Sequence, residues 1–213
     1  MAPARRSTKT KSKAQKVKAR AKKPATPPLR NDLNAKFPAG VRALRRRPLS
    51  FDNVQNVTML FDDIESHLCH LIRNPRVHYV MVAAPWCSSK ALFAALASKQ
   101  GVGLLTQPDK HVRSAVRRQA YGALKPIEPG MDRVRGLVMG RGRQKSILHQ
   151  KMLVFLDQDR TAIGAATGSF NLSGANGSSS NIENFLVMND ARVADECAQE
   201  WRRVYAISKR LFA

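Results

Sequence analysis

Two short apolar runs separated by a polar turn constrain this chain most. Residues 152–156 (MLVFL) and 162–166 (AIGAA) are apolar or small throughout, and the sequence Asp-Gln-Asp-Arg lies between them at 157–160. Runs of this length and composition are typical of strands that are buried on both faces. The polar residues between them suit a tight connection. The sequence therefore predicts a hairpin of two buried strands.

Polar residues flank the open end of this hairpin. His149 and Lys151 precede the first run and, being two positions apart, point to one face of an extended strand. Ser169 and Asn171 follow the second run with the same spacing, and Glu183 comes further along the chain. A polar cluster at the end of buried strands loses hydration, which costs several kcal/mol unless its members are paired or bound. We therefore expect these five side chains to form a site.

The cluster resembles the HKD motif of the phospholipase D superfamily, in which His-x-Lys is followed by an aspartate, by Gly-Ser-x-Asn and by an acidic residue. The residues that match are His149, Lys151, Gly168, Ser169, Asn171 and Glu183. The motif's aspartate position falls on Leu156, and the candidates Asp157 and Asp159 come one and three places later. We interpret this offset as a hairpin lengthened at its turn. The family aspartate looks structural rather than catalytic, so the offset leaves the chemistry intact.

The resemblance implies phosphodiester cleavage through a covalent phosphohistidine, without a metal ion or other cofactor. His149 would be the nucleophile or the general acid. Lys151 and Asn171 would hold the non-bridging phosphate oxygens, which is electrostatic preorganisation. Ser169 would supply a hydroxyl, and Glu183 would orient the ring of His149.

The resemblance also implies a homodimer. Family members use two histidines, one from each of two motif copies, whereas His149 lies in the single His-x-Lys sequence of this chain. A second subunit would supply the other imidazole across a two-fold axis, through an isologous interface.

Charge divides the chain into two parts. Residues 1–50 hold 16 of the 37 basic residues but one of the 15 acidic ones, within a net charge of +22. Because this segment has few large apolar residues, we expect a disordered, strongly basic tail. Residues 51–213 are long enough for one domain with a core. An excess of positive charge favours a polyanionic partner, in the first place DNA or RNA. The candidate nucleic-acid-binding residues are Arg113, Arg117, Arg118, Arg141, Arg143 and Lys145.

The remaining segments predict an α/β fold. Apolar spacing favours a helix over 51–72, a strand over 77–83, a helix capped by Ser88 and a strand over 102–106. The two strands should be parallel, because a strand–helix–strand unit crosses over in one sheet. Further along we expect a helix at 109–124, strands at 134–138 and 185–188, and a helix at 193–212. The resemblance implies a mixed, largely parallel sheet with helices on both faces.

Two other functions remain open at this point. A catalytically inactive domain of this fold would bind nucleic acid, and a phospholipase acting on an anionic phospholipid would use the same chemistry. The sequence contains no apolar run of 18 residues and no apolar signal segment, so we expect no integral membrane association and no classical secretion. Its three cysteines are odd in number and scattered, which favours free thiols in a reducing intracellular compartment, such as a nucleus, nucleoid or virion.

Overall fold

The computed structural model describes residues 49–50, 56–108, 112, 114–139, 146–173 and 182–212. The chain divides into two units, Met1–Leu44 and Arg45–Ala213, and all described residues belong to the second. The predicted basic tail therefore lies outside the described residues, apart from its last two positions, which form a strand.

A nine-stranded sheet is the centre of the described part. The strands in chain order are β1 Leu49–Ser50, β2 Val57–Leu60, β3 Tyr79–Ala83, β4 Gly101–Thr106, β5 Val134–Gly136, β6 Val138–Met139, β7 Ser146–Ile147, β8 Met152–Leu156, β9 Ala162–Gly168, β10 Phe185–Met188 and β11 Lys209–Arg210. Their order across the sheet is β1-β2-β10-β9-β8-β3-β4-β5-β11, and β6 and β7 form a separate two-stranded ribbon.

The mixed α/β class is confirmed, but the expectation of a largely parallel sheet is wrong. β3, β4 and β5 are parallel neighbours. Every other neighbouring pair in the described sheet is antiparallel, including β8 with β3 and β8 with β9. The antiparallel pairing of β8 with β9 follows from the short turn that joins them, as expected. The antiparallel pairings of β8 with β3 and of β10 with β2 join segments far apart in the sequence, which local patterns do not show.

Four helices are described: α1 Ile64–Arg73, α2 Lys90–Ala97, α3 Ala115–Gly122 and α4 Ala191–Ile207. The helix predicted over 51–72 is wrong at Val57–Leu60, where β2 pairs with β10 and Leu60 lies opposite Phe185, and residues 51–55 lie outside the described residues. This pairing joins distant parts of the sequence, and local apolar spacing cannot show it. The helix predicted over 193–212 is also shorter than expected, since β11 follows it and pairs with β5.

Side chains alternate between two cores, one on each face of the sheet. On β3, Val80 and Val82 belong to the core under α1, α2 and α3. Met81 and Ala83 belong to the core under α4, which contains Trp201. The predicted arrangement of helices on both faces is therefore confirmed, and each strand of the centre is apolar throughout because both of its sides are covered.

Candidate active site

The segment that carries His149 lies between two strands. Residues 148–151 join β7 to β8 without belonging to either strand. Gln107 Oε1 accepts the backbone N–H of Leu148 at 3.3 Å. Gln150 Nε2 donates to Glu200 Oε1 on α4 at 3.1 Å. Gln107, which follows β4, and Glu200 on α4 therefore hold the residues on either side of His149. The sequence did not predict these roles of Gln107 and Gln150.

His149 and Lys151 contact each other directly. The His149 ring is exposed, whereas Lys151 is only 6% exposed. Lys151 Nζ lies 3.1 Å from His149 Nε2 and also donates to the His149 carbonyl oxygen at 3.1 Å. An ammonium group has only donors, so the ring accepts at Nε2 and keeps a lone pair there. Burial lowers the pKa of Lys151, and the nearby charge of Glu183 opposes this effect.

Ser169 and Glu183 form the second half of the site. The Ser169 hydroxyl donates to Glu183 Oε2 and accepts the backbone N–H of Asn184 at 3.0 Å. The Ser169 backbone N–H donates to the Asn184 carbonyl at 3.0 Å. The sequence predicts that Glu183 orients His149, but here its carboxylate holds Ser169 and lies near the Lys151 charge. The two ends of the intervening loop are thereby fastened together beside Lys151.

Asn171 lies on the segment that leads away from β9. Its neighbour Leu172 accepts backbone N–H groups from Ser88 at 2.9 Å and from Ser89 at 3.1 Å, at the start of α2. The side-chain oxygen of Asn171 is buried and has no hydrogen-bond partner among the described residues. An unpaired buried acceptor is unfavourable by about 1–3 kcal/mol. This oxygen can therefore accept a hydrogen bond that no described protein group donates.

Comparisons with known proteins assign the family and the fold. Residues 68–205 match the family described as Cardiolipin synthase, PLD-like domain. This match covers more than half of the chain, including the site. The chain belongs to that phospholipase D-like family. The search of curated proteins finds no match.

Solved structures show the same phospholipase D-like fold at low sequence identity. NucT from Helicobacter pylori is 15% identical with a TM-score of 0.56, over 72% of this chain and 97% of that one. Nuc, a phospholipase D family member from Salmonella typhimurium, is 13% identical with a TM-score of 0.53, over 74% and 98%. Polyphosphate kinase from Porphyromonas gingivalis is 9% identical with a TM-score of 0.51, over 74% of this chain but 27% of its own.

The aspartates that were candidates for the family motif lie in the hairpin turn. Asp157 Oδ1 accepts the backbone N–H groups of Asp159 at 3.0 Å and of Thr161 at 2.9 Å. Arg160 takes a left-handed conformation with φ 63°. The Asp157 carboxylate thus closes the turn, and Asp159 is exposed there. The turn lies beyond the ends of β8 and β9 that are opposite the site, so neither carboxylate reaches the phospholipase D-like cluster.

Of the basic candidates, only two are described. Arg113, Arg141, Arg143 and Lys145 lie outside the described residues. Arg118 is exposed on α3. The pKa of the Cys87 thiol is raised to about 12 by burial, an effect that the nearby charge of Arg117 partly opposes. The backbones of Cys87 and Leu172 form an isolated β-bridge. Arg117 is therefore near the segment that carries Asn171.

A cavity of about 470 Å³ adjoins the site and was not predicted from the sequence. It is lined by Phe61, Asp62, Asp63, Ile64, Glu65, Ser66, Cys69, Arg73, Ala91, Phe170 and Glu183. Glu65 also accepts the hydroxyl of Ser89, the cap of α2, at 2.5 Å. The acidic pair at 62–63 is visible in the sequence, but nothing there indicates that it lines the same cavity as Glu183. In the described part of the chain, no three His, Cys, Asp or Glu residues are grouped as metal ligands would be.

None of the described helices is both long and apolar enough to span a bilayer. The three cysteines are free: Cys69 and Cys87 are buried and Cys197 is partly buried. Burial also raises the pKa of the Cys69 and Cys197 thiols. Neutral, partly inaccessible thiols are packing groups here, and they take no part in the cluster around His149.

Proposed function

We propose that this protein is a phosphodiesterase that cleaves DNA or RNA through a phosphohistidine on His149. The observation that supports this most is the exposed imidazole whose Nε2 lone pair lies 3.1 Å from the buried ammonium of Lys151. That pair places a nucleophile beside a fixed positive charge, which is what attack on an anionic phosphate diester requires.

The reaction has two balanced steps. His149 Nε2 attacks phosphorus, a P–N bond forms, and the P–O bond to the leaving nucleotide breaks. The leaving oxygen takes a proton from a second imidazole. That imidazole then removes a proton from water, the hydroxide displaces the histidine, and the second product leaves with the phosphate.

Lys151 acts on the charge of the reacting group. Its ammonium donates to a non-bridging oxygen in place of His149 Nε2, and the amide nitrogen of Asn171 donates to another. Because Lys151 is only 6% exposed, its charge acts with little screening by water. Glu183, to which the Ser169 hydroxyl donates, adds its negative charge to that of the phosphate near the Lys151 ammonium. This charge supports the protonated form of the lysine.

The second imidazole belongs to another copy of the chain. The described site contains one histidine, and a monomer would lack the proton donor for the leaving group. A two-fold dimer that brings two His149 rings to one phosphorus completes the set.

Charge favours nucleic acid as the substrate. The net charge of +22 suits a polyanion. Arg117 and Arg118 on α3 would contact phosphates beyond the scissile one, as would the basic residues that lie outside the described part. The family description names a lipid enzyme, so an anionic phospholipid is the second candidate substrate.

The test compares His149→Ala with wild type on labelled single- and double-stranded oligonucleotides in EDTA. We expect the variant to lose activity by a factor on the order of 10³ or more. His70→Ala on α1 is the matched control, since this histidine is also exposed but lies outside the site. Salt-sensitive binding by wild type without any cleavage would instead identify a non-catalytic binding protein. Hydrolysis of cardiolipin vesicles without cleavage of nucleic acid would identify the lipid substrate.

The dimer has its own test. When His149→Ala chains are mixed with wild type at constant total protein and allowed to exchange, activity should fall as the square of the wild-type fraction. A linear fall, together with a monomer mass in sedimentation, would contradict the shared site.

A further inference from the structure

The two tryptophans of the chain have different surroundings. Trp201 is fully buried, and its indole N–H donates to the Val82 carbonyl at 3.0 Å. Trp86 is half-buried and belongs to neither of the two cores of the described residues. Its indole N–H is not buried and donates to no described group, and its ring contacts no described ring or cation. This ring therefore keeps an accessible surface that packing within the described part of the chain does not use.

Trp86 follows β3 and is connected through Gln107 to the segment of His149. The backbone N–H of Gln107 donates to the carbonyl of Pro85 at 3.2 Å. The side chain of the same glutamine accepts the backbone N–H of Leu148 at 3.3 Å. The residue before Trp86 and the residue before His149 are therefore held by one glutamine.

The residue after Trp86 is connected to the other half of the site. Cys87 forms a parallel β-bridge with Leu172, the residue that follows Asn171. Backbones paired in this way lie about 5 Å apart. Trp86 is therefore held between the segments of His149 and Asn171, beside the place where the proposed reaction puts the phosphate.

An accessible indole in this position suits stacking on a base of the substrate. Every base has a flat π-face, and stacking on an aromatic side chain adds affinity without reading the base edges. The backbone on both sides of Trp86 is held by hydrogen bonds, so the ring is presented from a fixed position. Its free indole N–H can also donate to an oxygen of the same nucleotide.

We infer that Trp86 stacks on a base adjoining the scissile phosphate and that the protein therefore acts on single-stranded nucleic acid. The inference rests on the proposed cleavage of nucleic acid at His149. In a duplex each base is paired and already stacked on both faces, so the contact would require the base to leave the helix first. In a single strand the base is available without that cost.

The experiment compares an end-labelled single strand with the same strand carrying one abasic residue. Gel mapping gives the relative cleavage rate at each phosphate, at strand concentrations far below KM. For wild type we expect the rate at a phosphate adjoining the abasic residue to be about tenfold lower than at the same phosphate of the intact strand. The corresponding duplex should be cleaved at least about tenfold more slowly than the single strand.

Substitution of the ring separates a contact with the base from a structural role. Trp86→Leu should cleave the intact strand about tenfold more slowly than wild type, but should equal wild type at the phosphate next to the abasic residue. Trp86→Phe keeps a ring that stacks, so it should keep the effect of the abasic residue. A structural role would lower the rates on both strands by the same factor.

Tyr79→Leu is the matched control. Tyr79 is also half-buried and also belongs to the β3 segment, but it lies at the opposite end of that strand, where its ring centroid is 4.9 Å from the guanidinium of Arg160. This variant should cleave both strands as wild type does. Circular dichroism and Tm verify that each variant is folded.

The inference is overturned, while the proposed function stands, by any of three results. These are equal cleavage of the intact and abasic strands by wild type, an unchanged effect of the abasic residue in Trp86→Leu, and cleavage of the duplex as fast as the single strand.

If wild type cleaves no nucleic acid, the proposed function fails and Trp86 is tested by binding. The probes are oligodeoxyadenylate and an abasic strand of the same length, and the signal is indole fluorescence. Quenching by the first strand alone, lost in Trp86→Phe, supports the contact with a base. No quenching, equal quenching by both strands, or quenching that persists in Trp86→Phe overturns it.

Discussion

The two faces of the sheet are built for different tasks. The face under α4 is filled: Trp201 lies against Gly103, stacks on Tyr205 with ring centroids 5.1 Å apart, and donates to the Val82 carbonyl at 3.0 Å. The face under α1, α2 and α3 is equally apolar in its centre, but at one end it borders a cavity that Phe170 and Glu183 line. Under the proposed function, the packing around Trp201 and the reacting residues therefore lie on opposite sides of the same strands.

One side chain connects the two faces. Gln150 lies between His149 and Lys151 in sequence and points to the α4 side, where Glu200 accepts its amide N–H. Glu200 is in turn held by Arg203 at 2.7 Å, which lowers the pKa of that carboxyl. Glu200 on α4 thus holds Gln150, and with it the backbone between His149 and Lys151.

Two buried lysines give the largest expected contrast. Lys151→Met should lower kcat by a factor of about 10²–10³ while Tm changes little, because it removes charge from the reacting phosphate. Lys99 is also buried, but its Nζ donates to the carbonyls of Asn74 at 3.2 Å and Val77 at 2.8 Å. Lys99→Met should lower the free energy of unfolding by about 1–3 kcal/mol and leave kcat unchanged.

Denaturant titrations and single-turnover cleavage of both lysine variants measure this contrast. The separation of tasks would be disproved if Lys99→Met abolished cleavage in folded protein, or if Lys151→Met retained full activity.

Removal of the largest buried ring tests the filled face. Trp201→Ala should reduce the free energy of unfolding by about 3–5 kcal/mol, since it leaves a cavity against Gly103 and Tyr205. Trp201→Phe keeps most of the volume and loses the hydrogen bond to Val82, so a smaller cost of about 1 kcal/mol is expected. Urea denaturation gives both values. At temperatures where each variant is folded, KM should equal that of wild type.

The bridging glutamine tests the connection between the faces. Gln150→Met keeps the length of the side chain but breaks the hydrogen bond to Glu200, so we expect kcat to fall about tenfold with KM nearly unchanged. Asp195→Asn, also on α4, is the control, since the Asp195 carboxylate accepts a hydrogen bond from Gln199 on the same helix. Equal kcat in Gln150→Met and wild type would mean that the His149 segment keeps its position without α4.

The pH dependence gives the smallest effect. Because the pKa of Lys151 is lowered by burial, its charge is lost at a pH below the ordinary range of lysine. The value of kcat/KM should therefore decline with rising pH in that window. Stability should rise there, since the unfolded chain binds more protons than the folded one. Lys151→Arg keeps its charge, so its alkaline decline should disappear in a pH–rate profile.

Much of the centre of the fold could be predicted from the sequence. The runs at 152–156 and 162–166 form β8 and β9, because a strand covered on both sides leaves an uninterrupted apolar signal. The parallel pair β3 and β4 is likewise confirmed, since one crossover helix joins them. His149, Lys151, Ser169 and Glu183 lie together at the predicted end of the hairpin.

The rest depended on contacts between residues far apart in sequence. β2 is a strand because β10 offers it an edge, although its own apolar spacing favours a helix. Glu183 holds Ser169, which lies 14 positions earlier in the sequence, and Asp63 lines the same cavity as Glu183 through the placement of α1. Spacing along the chain carries no information about such tertiary contacts.

The turn closed by Asp157 lies at the far end of the hairpin from the chemistry. At the near end, the Lys151 carbonyl accepts the Thr167 hydroxyl at 3.0 Å and the Gly168 N–H at 3.3 Å. These bonds fix the distance between the two halves of the motif regardless of how many residues the hairpin contains. Residues can therefore be added to the turn or removed from it without moving these atoms, and the number of intervening residues is a poor criterion for membership in the phospholipase D-like family.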